Sequence, residues 1–184
     1  MTLHGGFTPL IDCVWRRRKN TFRYLLRQGV NPNIELSCNR RCVRKKLKAL
    51  GVVARLSSVH WDELNDTETL EILLNAGAET RGTAALHIAS FLGSLPKMQC
   101  LIEHGTDVNE VLEQEVLTYF QLRSKGLSSP LHWAIQGGNK DAIRFLLTKN
   151  PDLDIQDNEG VSVRAYLEEY DVGSLVEDAE AAKA

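Results

Sequence analysis

No stretch of this 184-residue chain is apolar for long enough to cross a bilayer as a helix, which takes about 20 residues in a row. The opening Met1-Thr2-Leu3-His4-Gly5-Gly6 lacks the charged start and apolar run of a secretory signal. Cysteine is scarce, and Cys13, Cys38, Cys42 and Cys100 stand at uneven spacings. Without a signal they read as reduced thiols of a cytoplasmic or nuclear protein, not as a disulfide framework. Asn65-Asp66-Thr67 matches a glycosylation sequon, which carries little meaning in that compartment. The motifs of chemistry are missing too: no phosphate-binding Walker loop, no G-x-G-x-x-G, no H-E-x-x-H and no G-x-S-x-G. Cys38 and Cys42, with His60 downstream, offer two ligands at a convincing spacing where zinc needs three or four. We therefore expect no metal, no cofactor and no recognisable catalytic centre. Aromatic residues are only 7% of the chain, and Trp15 alone lies beside the basic runs. Stacking platforms for nucleic acid are thus lacking.

What is present points to a small solenoid. A 43% hydrophobic content suffices for one compact domain or a short repeat array with a real core. The net charge of −2 hides an asymmetry. Up to Arg55 there are 13 Lys/Arg against Asp12 and Glu35; after it, 9 basic residues face 22 acidic ones. An elongated molecule would carry a basic and an acidic end, which bears on partner choice, not on fold.

Internal similarity organises the rest. Three segments align on Leu10, Leu86 and Leu131. The first reads Gly6-Phe7-Thr8-Pro9-Leu10-Ile11-Asp12-Cys13 and closes on Leu25-Leu26-Arg27-Gln28-Gly29. The second reads Gly82-Thr83-Ala84-Ala85-Leu86-His87-Ile88-Ala89 and closes on Leu101-Ile102-Glu103-His104-Gly105. The third reads Ser129-Pro130-Leu131-His132-Trp133-Ala134 and closes on Leu146-Leu147-Thr148-Lys149-Asn150. Each continues in kind, with Asn31-Pro32-Asn33, Asp107-Val108-Asn109 and Asp152-Leu153-Asp154. Thr8 and Ser129 suit a helix N-cap, and the Pro after each suits the first helical position. Cys13, Ala89 and Ala134 are small enough to let a second helix approach. The paired Leu residues bury that second helix. Gly29, Gly77 and Gly105 suit the left-handed residue that ends it, with Asn150 as the usual substitute.

This pattern resembles the ankyrin repeat, with its Thr-Pro-Leu-His-x-Ala opening and Gly-Ala-Asp-Val-Asn close. The resemblance implies an all-α ankyrin-repeat solenoid of about five helix-turn-helix units in a single domain over 1–184. The expected units are 4–36, a degenerate 37–81, 82–110, an insertion at 111–126, then 127–159 and a C-terminal cap at 160–184. Unit two keeps a clear second helix and turn in Glu68 to Ala78, while its first helix is expected within Arg41 to Leu56. Leu86 and Leu131 stand 45 residues apart, about 12 more than one repeat. Leu112, Val116, Tyr119 and Phe120 recur at helical spacing there, so a short amphipathic helix is expected in place of a finger tip. The run Leu131 to Asn139 is similar to repeats frequent in fungal ankyrin proteins. The acidic Glu177 to Ala184 reads as the natural end of a stand-alone protein, with a fragment of a larger scaffold as the other option.

The resemblance implies a module that binds a protein partner through its inner groove and finger tips. His87 and His132 fall on the opening-motif His, which ties neighbouring loops together. Carried over by register, the inner positions include Trp15, Arg16, Phe91, Leu92, Trp133 and Gln136, with Arg81 at a finger. Large apolar groups at such slots form an interaction stripe, unless the inserted helix folds over them. Arg16, Arg17, Arg18 and Lys19, close to Arg40–Lys48 in the stack, form a basic patch suited to an acidic partner. A second reading is a small-molecule binder, or an atypical biosynthetic enzyme. Its pocket would be lined by Trp15, Phe91, Trp133, Tyr119 and Phe120 and closed by the inserted helix. No nucleic-acid and no membrane partner is expected.

Overall fold

The computed structural model describes residues 9–16, 18–37, 46–48, 50–51, 53, 67–112 and 129–176. Helix α1 (Pro9–Trp15) and α2 (Lys19–Arg27) form unit one. Two three-residue strands follow, β1 (Glu35–Ser37) and β2 (Lys46–Lys48), paired antiparallel with Leu36 opposite Leu47. Then come α3 (Glu68–Asn75) of unit two, α4 (Ala85–Phe91) and α5 (Leu95–Glu103) of unit three, and α6 (Pro130–Gln136) and α7 (Lys140–Leu147) of unit four. Helix α8 (Val163–Glu169) opens the last unit. The architecture is the expected all-α repeat solenoid. The short ladder is a finger between two units, with an isolated bridge from Gln156 to Ser162 in a later one.

The aligned residues fill equivalent places. Leu10, Leu86 and Leu131 are at most 1% exposed, and Cys13, Ala89 and Ala134 are buried at the crossing of each helix pair. In the second helices Leu73, Leu101 and Leu146 are fully buried, whereas Leu25 and Leu26 of unit one are only half-buried. Gly29, Gly77 and Gly105 take φ between 80 and 85°, and Asn150 takes 54°, so all four end their helices left-handed.

Caps vary between units. Ser129 and Ser162 are extended, and their hydroxyls accept from His132 N and Ala165 N. In unit three the same slot holds Ala84, which sits left-handed at φ 57°. The hydroxyl has moved back one residue: Thr83 Oγ1 accepts from Ala85 N and donates to Thr80 O. Thr8 lies outside the described residues.

Units join through a repeated polar ladder. Asn31, Asp107 and Asp152 each accept from the backbone N–H two residues on, at 2.8 to 2.9 Å, shaping the finger base. Asn33 Oδ1 then accepts from Glu79 N, and Asn109 Oδ1 accepts from Asp152 N, linking one unit to the next. Unit two has Glu79 and Arg81 at these slots and a short finger, so its sequence breaks the pattern. Of the expected first helix of unit two, Leu50, Gly51 and Val53 are helical, with Leu50 and Val53 buried. Residues 46–48 are strand, so that helix starts later than Arg41. The inserted segment lies outside the described residues beyond Val111, which is exposed, and Leu112, which is buried.

Candidate functional site

The inner positions follow the first helices, α1, α4 and α6; α4 against α6 is the most extensive helix contact among the described residues. Phe91 and Leu92 end α4 half-exposed. The Phe91 ring stands edge-on to Trp133, with centroids 6.2 Å apart. His87 meets the same indole at 5.7 Å, also edge-on. Such perpendicular aromatic contacts are worth about 0.5–1.5 kcal/mol beyond their buried area.

Trp133 is 0% exposed, which corrects its assignment to an open groove or a pocket wall. The register holds the reason. Trp133 stands two residues after Leu131, as Ile88 stands two after Leu86, and Ile88 is 2% exposed. The slot faces the neighbouring helices, so the indole braces Phe91 from behind and cannot itself touch a partner. Gln136 falls in the register of Phe91 and is half-buried, with a buried Oε1 that makes no hydrogen bond among the described residues.

Arg81 is exposed at the short finger of unit two. The Gly82 N–H donates to Glu110 Oε1 at 2.6 Å, holding that finger to the next one. Sequence reasoning passed over Glu110, whose carbonyl also takes the Nε2 of His87 at 3.0 Å. His132 does the same work one unit on. Its Nδ1 meets Ser129 Oγ at 2.7 Å and its Nε2 meets Val161 O at 3.4 Å. Both imidazoles are fully buried and hold loops together, and burial pushes the His132 pKa down.

At the N-terminal end Arg16 is exposed and bonded to Asp12 at 2.8 Å. Arg18 is exposed and makes no ion pair among the described residues. Lys19 and Arg23 both pair with Glu68 of unit two, Lys19 at 2.7 Å. Two cations thus share one carboxylate, and the end stays basic. Trp15 is the last residue of α1, but its side chain lies outside the described residues, as do Arg17, Tyr119, Phe120, Cys38 and Cys42. The structure therefore brings Phe91, Leu92, Gln136 and, behind them, Trp133 together, and sets Arg81 and the basic end apart from them.

One further residue escaped the sequence reading. Asn139 begins α7, and its side-chain amide donates to Phe91 O at 2.6 Å. Gly137 makes that approach possible, because a Cβ there would lie 2.3 Å from the same oxygen. The signal was in the run Gly137-Gly138-Asn139, where two glycines precede an amide.

Cys13 and Cys100 are both buried free thiols. Burial pushes the Cys100 thiol up to about 11, with Glu71 and Glu103 adding to it. Burial likewise raises Cys13. Among the described residues no three His, Cys, Asp or Glu side chains converge as metal ligands, and no helix is long and apolar enough to cross a membrane.

The comparisons with known proteins agree with this geometry. A family model described as "Ankyrin repeats (3 copies)" matches residues 60–157, and one described as "Ankyrin repeat" matches residues 5–35. Among curated proteins, the chain is 23% identical over 173 residues to human (Homo sapiens) Transient receptor potential cation channel subfamily A member 1, covering 81% of this chain and 15% of the relative. It is 26% identical over 165 residues to the NF-kappa-B inhibitor cactus of Drosophila yakuba, covering 80% and 32%. It is 28% identical over 118 residues to the E3 ubiquitin-protein ligase KEG of Arabidopsis thaliana, covering 61% and 6%. The chain thus spans less than a third of the length of each of these relatives.

Proposed function

Because the chain belongs to the ankyrin-repeat family, we propose that it is a protein-interaction module whose partner seats on the inner face and fingers. The carrying observation is the pair Phe91 and Leu92, half-exposed at the end of α4 and backed by the fully buried Trp133. An aromatic group held rigid before binding loses little conformational entropy on contact, as interface anchors require. Gln136 supplies a polar neighbour and Arg81 a charged finger. Trp15 and Arg16 extend the same register into unit one. The basic N-terminal end, with Arg17 and Arg18, favours an acidic surface in what it meets.

The relatives support a binding role by their diversity. By their names one is a cation channel subunit, one an NF-kappa-B inhibitor and one a ubiquitin ligase. A stretch shared among such different proteins reads as a scaffold for contacts, not as one chemistry. A ligand pocket draws no support from Trp133, which has no exposed face to line one.

Affinity capture tests the reading. Leu92→Glu/Arg81→Glu should lose the captured protein, while Lys140→Glu/Arg144→Glu on the outer helix α7 should keep it. Both must melt like wild type. Equal capture by all three proteins would overturn the inner-face assignment.

A further inference from the structure

The run Arg16-Arg17-Arg18-Lys19-Asn20-Thr21-Phe22 sets four cations directly ahead of a threonine. Residues 16–18 link α1 to α2 and belong to neither helix. Thr21 is the third residue of α2, is exposed, and makes no hydrogen bond among the described residues. Arg16, Arg18 and Asn20 are exposed as well. Phe22 is 1% exposed and seats the helix in the core. Successive helical residues lie about 100° apart, so the buried ring leaves the Thr21 hydroxyl turned to solvent.

We propose that Thr21 is a phosphorylation site, modified by a kinase that reads the cations on its N-terminal side, and that the phosphate weakens the hold of the basic surface around Arg18 on an acidic partner. The second half rests on the acidic-partner reading above; the first does not. Recognition follows from charge, since a kinase with carboxylates in its peptide groove selects substrates by the cations that precede the acceptor. Arg18 makes no ion pair among the described residues, so its guanidinium is free for such a carboxylate. Arg16 can trade its exposed partner Asp12 for another. In the transfer, Thr21 Oγ1 bonds to the γ-phosphorus of ATP as the bond to the departing ADP breaks. The hydroxyl proton passes to the catalytic carboxylate of the kinase. Access needs only the first turn of α2 to open. No side chain caps that turn, and the partly exposed Lys19–Glu68 pair holds it weakly. The product suits the fold. The first helical bond of α2 runs from Phe22 N to Arg18 O at 2.9 Å, so the N–H groups before it have no helical acceptor. A phosphate on Thr21 meets this positive helix end, and its charge of about −1.5 to −2 offsets the arginines beside it.

Phosphorylation of the full chain in vitro tests it, with magnesium ATP and the catalytic subunit of cAMP-dependent protein kinase, an arginine-directed enzyme. Tandem mass spectrometry should place one phosphate on Thr21 and find none there in Thr21→Val. Arg18→Ala should slow the transfer about tenfold, as the loss of one charge-assisted contact does. Both variants should melt like wild type, because both side chains are exposed. The phosphorylated protein should leave an immobilised polyglutamate column at lower salt than the unmodified one, and should melt no lower. A bare Thr21, or an unchanged rate in Arg18→Ala, overturns the site. Phosphate on Thr21 with unchanged elution overturns the switch. An unmodified protein that the column does not retain sinks the acidic-partner reading and the switch with it, while the mass spectrum still decides the site.

Discussion

Asn139 reaches across the boundary between units three and four to donate its side-chain amide to the carbonyl of Phe91 at 2.6 Å. Phe91 ends α4, where the last carbonyls have no partner within the helix. The bond fixes the residue on which the proposed contact surface depends. Asn139→Ala should lower stability by about 1–2 kcal/mol, as expected when a partly buried carbonyl loses its donor. Gly137→Ala should lose about 1–3 kcal/mol, because the new methyl meets backbone that cannot swing away. Urea melts of both variants check this. A Gly137→Ala protein as stable as wild type would contradict the close approach.

Stability should fall as pH drops from about 7 to about 5.5 through His132. Burial depresses its folded pKa below the usual 6.5, outweighing the opposing effects of Val161 and Asp157. The unfolded chain then binds the proton more readily, so this contribution is complete above the unfolded pKa and lost as pH falls below it. In the neutral ring Nε2–H donates to Val161 O and Nδ1 accepts from the Ser129 hydroxyl, so both contacts are kept without a charge. Thermal melts of wild type and His132→Gln over this range should show a shallower slope in the variant. Parallel slopes would remove His132 as the cause.

Thr106 is 5% exposed, and its hydroxyl is buried without a hydrogen bond among the described residues. It occupies the slot of Val30 and Ala78 in other units. Thr106→Val keeps the shape and removes the unsatisfied group, so it should be neutral or raise stability by up to about 1 kcal/mol. A clear loss would mean that the hydroxyl has a partner.

Cys100 and Cys13 should resist alkylation in the folded protein at mildly alkaline pH. Burial raises both pKa values, Cys100 to about 11, so little thiolate exists to react. Peptide mapping after iodoacetamide treatment should find both thiols unmodified until denaturant is added. Rapid labelling of Cys100 would show that α5 opens locally.

Much of this fold was written in the register of three leucines. Capping, small crossing residues, left-handed closures and the linking histidines all follow from local rules that a sequence displays. The misjudged residues depend on what lies opposite them. Family register places Trp133 among the groove residues, yet its alignment with the buried Ile88 marks it as core. The left-handed Ala84 and the displaced cap at Thr83 go with an alanine at the slot where Ser129 and Ser162 supply a capping hydroxyl. Asn139 and Glu110 act across units, over sequence distances that no periodicity signals. Tyr24 and Tyr170 look like core residues by type, yet they stand exposed at 60% and 47%.

Hydrogen–deuterium exchange on the chain with and without its captured protein tests the central claim most directly. Slowed exchange at 81–82, 91–93 and 136–138, with the outer helices α5 and α7 unchanged, is the result expected of an inner-face binder. Protection confined to α5 and α7, with 91–93 exchanging as in the free protein, would contradict it.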